Sequence, residues 1–86
     1  RIGLIWKCVD DDKLMDTATS LARQLAAAPT KGLAGIKRAI HASATNTLEQ
    51  QLDLERDTQR ELGHTHDYRE GVLAFMEKRA PKFEGR

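Results

Sequence analysis

The segment LEQQLDLERDTQREL, from Leu48 to Leu62, sets the tightest limit on what this chain can fold into. It reads as a helix: Thr47 and Gln50 have capping-box spacing ahead of it, and Gly63 stands at its end as a C′ glycine. Its apolar residues are only Leu48, Leu52, Leu54 and Leu62. A stripe that thin makes a poor core helix. Either the helix lies largely in solvent, supported by charge pairs such as Glu55 with Arg56 and with Arg60 nearby, or it packs on a partner through mixed contacts.

The rest of the chain does little to compensate. At 86 residues there is room for one small domain, and a domain of that size buries only about 60 to 65% of the surface its unfolded chain exposes. Aromatic residues are 5% of the sequence, so Leu, Ala, Ile and Val must supply most of the burial. We therefore expect part of the partner surface to come from outside the chain. The first residue is Arg1, followed directly by the apolar run Ile2, Gly3, Leu4, Ile5 and Trp6, and we expect a piece of something larger.

Hydrophobic periodicity places the other elements. Residues 2–9 suit a short strand or an extended lead-in segment, bounded by Asp10, Asp11 and Asp12. Those aspartates suit the N-cap and first turn of a helix, where carboxylates meet unpaired N–H groups. Leu14, Ala18, Leu21, Ala22 and Leu25 follow at helical spacing and stop before Pro29. Thr30 is expected to cap a second helix carrying Leu33, Ile36 and Ile40, within which Gly32 and Gly35 suggest close approach by another backbone. The residues from Ser43 to Asn46 end it. Asp67 and Glu70 suggest another capping pair, with Tyr68, Val72, Phe75 and Met76 on one stripe and Pro81 as the stop. The expected fold class is all-α: a short extended lead-in over residues 1–10, then four helices over residues 11–86.

Composition and spacing exclude more chemistry than they offer. Fourteen Lys and Arg against 13 Asp and Glu leave a net charge of +1, too balanced to hold nucleic acid by overall field. Lys31, Lys37, Arg38 and His41 read as a solvent-facing helix side in place of a phosphate-binding strip. No apolar run approaches the ~18 residues of a membrane span. Cys8, the single cysteine, has no disulfide partner and reads as a buried, inert thiol in a reducing, cytoplasmic setting. His64 and His66, with His41, raise the question of a metal site, but without a nearby Cys or an HExxH helix they read as loop and capping residues, so no metal is expected. No nucleophile, base and orienting group come together, and no catalytic residue is assigned. Phe75 and Lys78 are three apart, which would set a ring and an ammonium on one helix face, where a flat heterocycle bearing a phosphate could meet both. On spacing alone, Lys78 and Arg79 are explained as cations favoured at a helix C-terminus.

Asp67, Glu70, Gly71, Ala74, Phe75, Glu77, Lys78, Arg79, Pro81, Phe83 and Gly85 resemble the carboxy-terminal signature of the crotonase, or enoyl-CoA hydratase/isomerase, family. Upstream, Gly3, Leu4, Val9 and Leu14 resemble that family's passage out of its core, and Ala22, Leu25, Ala26, Pro29, Lys37 and Ala39 fit its next two helices. The resemblance spans essentially the whole chain. Within the family, IGLIWKCVDDDKL and NTLEQQLDLERDTQREL look most like the phenylacetate-degradation branch, which isomerises ring-epoxidised phenylacetyl-CoA or hydrates enoyl-CoA intermediates. Trp6, Cys8 and Gln59 depart from the pattern; Gln59 stands about where some hydratases carry an aromatic residue at the nucleotide site.

The resemblance implies the last third or so of a longer enzyme, with catalytic groups on an amino-terminal spiral domain that these residues do not include. It implies a trimerisation domain, trimers often pairing as hexamers, and a final helix that helps complete the CoA site of a neighbouring subunit through Phe75 and Lys78. No tightly bound cofactor is expected, CoA being part of the acyl-CoA substrate. Without the spiral, the apolar faces can pair differently, as a dimer or a swapped assembly. A free-standing helical interaction module without activity explains the capping and the stripes equally well.

Overall fold

A computed structural model describes residues 2–86; the reading of Arg1 lies outside them. Residues 2–10 form no regular element, so the lead-in is irregular chain with bends at Gly3, Leu4 and Trp6 and not a strand. A single 3₁₀ turn over Asp11–Lys13 opens directly into helix α1, Leu14–Ala26. Asp10 stands at the N-cap of that turn without a side-chain hydrogen bond, so the aspartates act through charge in the first turn. Helices α2 (Thr30–Ser43), α3 (Leu48–Leu62) and α4 (His66–Glu77) follow, and the chain ends in a tail without regular structure. Among the described residues the fold is all-α, with four α-helices.

The dominant helix packing is α2 on α3. Gly35, near the start of α2, faces Thr58 and Leu62 near the end of α3, while Ala39 accepts a hydrogen bond from Gln51 Nε2 at 3.0 Å, so the two helices run in opposite directions. Gly35 is buried, and a Cβ there would stand 3.1 Å from Thr58 Cγ2 and 3.3 Å from Leu62 Cδ1. Close approach is thus real at Gly35, though by side chains and not by a backbone. At Gly32 a Cβ would meet nothing within 4 Å.

The capping box of α3 forms in full: Gln50 N donates to Thr47 Oγ1 at 3.2 Å, and Thr47 N donates to Gln50 Oε1 at 2.9 Å. Other end signals resolve differently. Thr30 is the first residue of α2, whose N-cap position is Pro29. Gly63 is right-handed (φ −63°), so no conformational freedom is drawn on there. Thr65, not Asp67, caps α4, accepting from Tyr68 N at 3.1 Å. On α3 the ion pairs are Asp53–Arg56, Arg56–Asp57 and Asp57–Arg60 in place of Glu55, all exposed and of little consequence for stability.

Very little is buried. Ala74, 1% exposed, is the sole buried apolar side chain among the described residues. The radius of gyration is 16.3 Å, against about 12 Å for a compact domain of this length. The accessible surface is 7646 Å², roughly 2,500 Å² above the value for a compact monomer of this mass. Leu14, Met15 and Leu25 of α1, Ile36 and Ile40 of α2, and Leu48 and Leu52 of α3 are all exposed. Cys8 is exposed, not buried as its apolar neighbourhood in the sequence suggested.

The two glycines of α2 separate propensity from packing. Gly32→Ala fills open space and is expected to stabilise by about 1 kcal/mol, whereas Gly35→Ala pushes on Thr58 and Leu62 and should gain clearly less or lose. Denaturant unfolding of both variants checks the ordering. Thr47→Ala, which removes the cap of α3, is expected to cost about 1 kcal/mol in the same measurement.

Candidate functional site

The end of α4 is where chain direction, charge and aromatic surface come together. Glu77 is the last helical residue, and Lys78 follows in the left-handed conformation with φ 56° and ψ 44°. It is the sole described non-glycine residue at positive φ. A side chain there costs on the order of 1 to 2 kcal/mol, which is why glycine usually occupies such a position. The turn is closed by backbone bonds: Lys78 N donates to Phe75 O at 3.3 Å and Arg79 N to Ala74 O at 3.0 Å. The tail then doubles back along α4.

Two carboxylates of α4 capture that tail. Glu70 accepts both arms of the Arg79 guanidinium, Nη1 at 2.7 Å and Nη2 at 3.0 Å, and the backbone N–H of Lys82 at 2.7 Å. Arg79 Nε also reaches Glu77 at 2.6 Å. Asp67, 4% exposed, accepts the N–H groups of Glu84 and Gly85, each at 2.8 Å, and its own N–H donates to Arg86 O at 2.9 Å. His66 Nδ1 lies 3.0 Å from the same carboxylate. Two special positions fit the path: Phe83 lies over Gly71, and Gly85 (φ 76°) passes so close to Thr30 that a Cβ would stand 2.8 Å from its hydroxyl. Asp67 and Glu70 are therefore tail anchors and not a capping pair, and Arg79 is an ion-pair partner more than a dipole partner.

Electrostatics follow the geometry. The Arg79 guanidinium, with the Lys82 N–H, holds the Glu70 carboxyl at about 2, well below the usual carboxylate range, and Glu70 and Glu77 in return raise Arg79. At Asp67 burial opposes the charge, but the Glu84 N–H, His66 and the Gly85 N–H outweigh it and hold the carboxyl below its ordinary value.

Between this tail, α4 and the start of α2 lies an open groove of about 480 Å³. The chain's Tyr and both its Phe residues line it, Tyr68, Phe75 and Phe83, together with Pro29, Val72 and Met76. Phe75 is 84% exposed, a ring presented and not packed. Lys78 is not among the lining residues; it stands one residue past α4, so its spacing from Phe75 no longer ensures a common helix face. The cation bordering the groove is Lys31 of α2. Gln59 lies elsewhere, in a hollow between α2 and α3. Lys37, Arg38 and His41 are exposed on α2, and among the described residues no group of three or more His, Cys, Asp or Glu side chains could hold a metal ion. None of the described helices is long and apolar enough to cross a membrane.

Because the folded-state pKa of Glu70 is depressed, its contribution is fully present above its ordinary value of 4.5 and is lost as pH falls toward about 2. Asp67 acts in the same direction. The amide resonances of Lys82, Glu84 and Gly85 are expected to shift toward unstructured values across that window, with Glu70→Gln releasing Lys82 already at neutral pH. Amide shifts that stay constant down to pH 2 would contradict the carboxylate capture.

Comparison with known proteins agrees with this geometry. The sequence profile of the family Enoyl-CoA hydratase/isomerase matches residues 1–86. The 1,2-epoxyphenylacetyl-CoA isomerase of Escherichia coli K12 is 60% identical over 84 residues, covering 98% of this chain and 32% of that protein. A probable enoyl-CoA hydratase of Rhodobacter capsulatus is 46% identical, covering all of this chain and 34% of that protein. Among solved structures, one from Streptomyces coelicolor A3(2), named as a candidate enoyl-CoA hydratase, superposes with a TM-score of 0.92 at 37% identity, over 100% of this chain and 31% of that one. A probable enoyl-CoA hydratase/isomerase from Mycobacterium abscessus gives 0.84 at 34% identity, over 98% of this chain and 33% of that one. The chain thus spans about a third of the length of the curated relatives it matches. With residues 1–86 matched by the family profile and the fold superposing over the whole chain, the chain belongs to the enoyl-CoA hydratase/isomerase family.

Proposed function

We propose that residues 11–86 are the carboxy-terminal helical domain of an enoyl-CoA hydratase or isomerase, serving assembly and CoA contact, and that residues 1–10 are the exit from that enzyme's core. The parent acts on acyl-CoA thioesters in the cytoplasm, in phenylacetate or fatty-acid breakdown. Similarity to the 1,2-epoxyphenylacetyl-CoA isomerase favours the phenylacetate setting. The observation that carries the reading is the unpartnered apolar surface: exposed stripes on all four helices and an open groove walled by Tyr68, Phe75 and Phe83. A spiral domain and neighbouring subunits, in trimers or hexamers, would cover the stripes.

In this division of labour the described residues do not react. Stabilisation of the thioester enolate by preorganised N–H donors, the largest contribution in such sites, belongs to the spiral. Phe75 offers a face to the adenine and Lys78 a cation to a CoA phosphate, across a subunit boundary. CoA enters and leaves as part of the substrate, with no tightly bound cofactor.

Two outcomes check this. The helical segment alone is expected to turn over no enoyl-CoA or epoxide substrate in a spectrophotometric assay; measurable turnover would sink the division of labour. In the full-length enzyme, Lys78→Ala is expected to raise KM for a CoA thioester about tenfold, in keeping with loss of one charge-assisted contact, and to leave KM for the 3′-dephospho thioester unchanged.

A further inference from the structure

We infer that Glu70 and Arg79 are positioning residues for phosphate recognition, acting by locking Lys78 in the left-handed turn that aims it. The inference rests on the reading of Lys78 as a contact to the 3′-phosphate of a CoA thioester. A left-handed lysine at a helix end persists only if its surroundings hold it there, since glycine adopts that conformation without strain. The holding contacts begin at the next residue. Arg79 closes the turn through its N–H to Ala74 O, its fork grips Glu70 at 2.7 and 3.0 Å, and its Nε reaches Glu77 at 2.6 Å. Glu70 also takes the Lys82 N–H, so one carboxylate fixes the chain on the far side of Pro81 as well. Lys78 itself makes no ion pair among the described residues. Its backbone is immobilised while its ammonium is left available.

A planar fork bridging two carboxylates cannot be reproduced by a point charge, so Arg79→Lys is disruptive here although it conserves charge. Loss of the fork lets Lys78 relax to a right-handed or extended conformation and points its ammonium elsewhere. Phosphate recognition then weakens, while groups remote from this turn keep their rate.

The test uses the full-length enzyme with a CoA thioester and its 3′-dephospho counterpart. Glu70→Gln and Arg79→Lys are each expected to raise KM for the phosphorylated substrate about five- to tenfold, with kcat unchanged and the dephospho KM raised clearly less. Lys78→Ala should abolish the preference for the phosphate, and adding Glu70→Gln to it should change nothing further. If Lys78→Ala removes the preference but Glu70→Gln and Arg79→Lys keep it, the positioning role is overturned and the CoA contact stands. If Lys78→Ala keeps the preference, the CoA contact itself fails, and the positioning role with it. Equal losses on both substrates in the two positioning variants would mark a purely structural role and also overturn the inference.

Discussion

The architecture depends on two carboxylates, one helical turn apart on α4, that accept the backbone N–H groups of a returning tail. Asp67 takes Glu84 and Gly85; Glu70 takes Lys82 and the Arg79 fork. In a chain with almost no apolar burial, such directional contacts decide where the tail lies, because nothing non-directional is strong enough to do so. Once the tail is placed, Phe83 lies over Gly71 and becomes a wall of the groove, Gly85 reaches Thr30, and α4 is tied to α2. On the other side, Gly35 lets α3 approach α2 through Thr58 and Leu62.

What these contacts do not provide is a core. The surplus surface of roughly 2,500 Å² falls in the range buried by obligate interfaces, and those interfaces resemble a domain interior cut in half. The exposed stripes of α1 and α2 have that character, with Leu14, Met15, Leu25, Ile36 and Ile40 left facing outward. The groove beside α4 differs in kind: it is concave and aromatic, with a lysine at its border. Flat apolar stripes suit protein partners; a concave aromatic surface beside cations suits a heterocycle with phosphate.

Much of this was legible in the sequence. Four helices, the end of α1 ahead of Pro29 and the capping box at Thr47 follow from local rules acting within a turn or two, and there those rules hold. Residues fail where the chain departs from helical neighbour logic. Glu70 and Arg79 are nine apart and would not meet on any helix; they meet because the chain reverses at Lys78. Asp67 has the composition of a cap but is drawn inward by amides 17 and 18 residues on, leaving Thr65 to cap. Gly63 has the place of a C′ glycine but stays right-handed, whereas the left-handed conformation falls on a lysine fifteen residues later. The family resemblance carried Asp67, Glu70, Arg79, Phe83 and Gly85 together; periodicity had no way to say why, and the tail's path supplies the reason.

The central claim is that the outward apolar faces of this chain are completed by protein outside it. Oxidative footprinting of its two methionines, Met15 on α1 and Met76 on α4, tests that directly, since they are 72% and 74% exposed in the chain by itself. In the full-length assembly Met15 is predicted to be protected at least several-fold relative to the isolated segment, and Met76 to gain protection when a CoA thioester is bound. Equal oxidation of Met15 in the isolated segment and in the assembly would contradict the account.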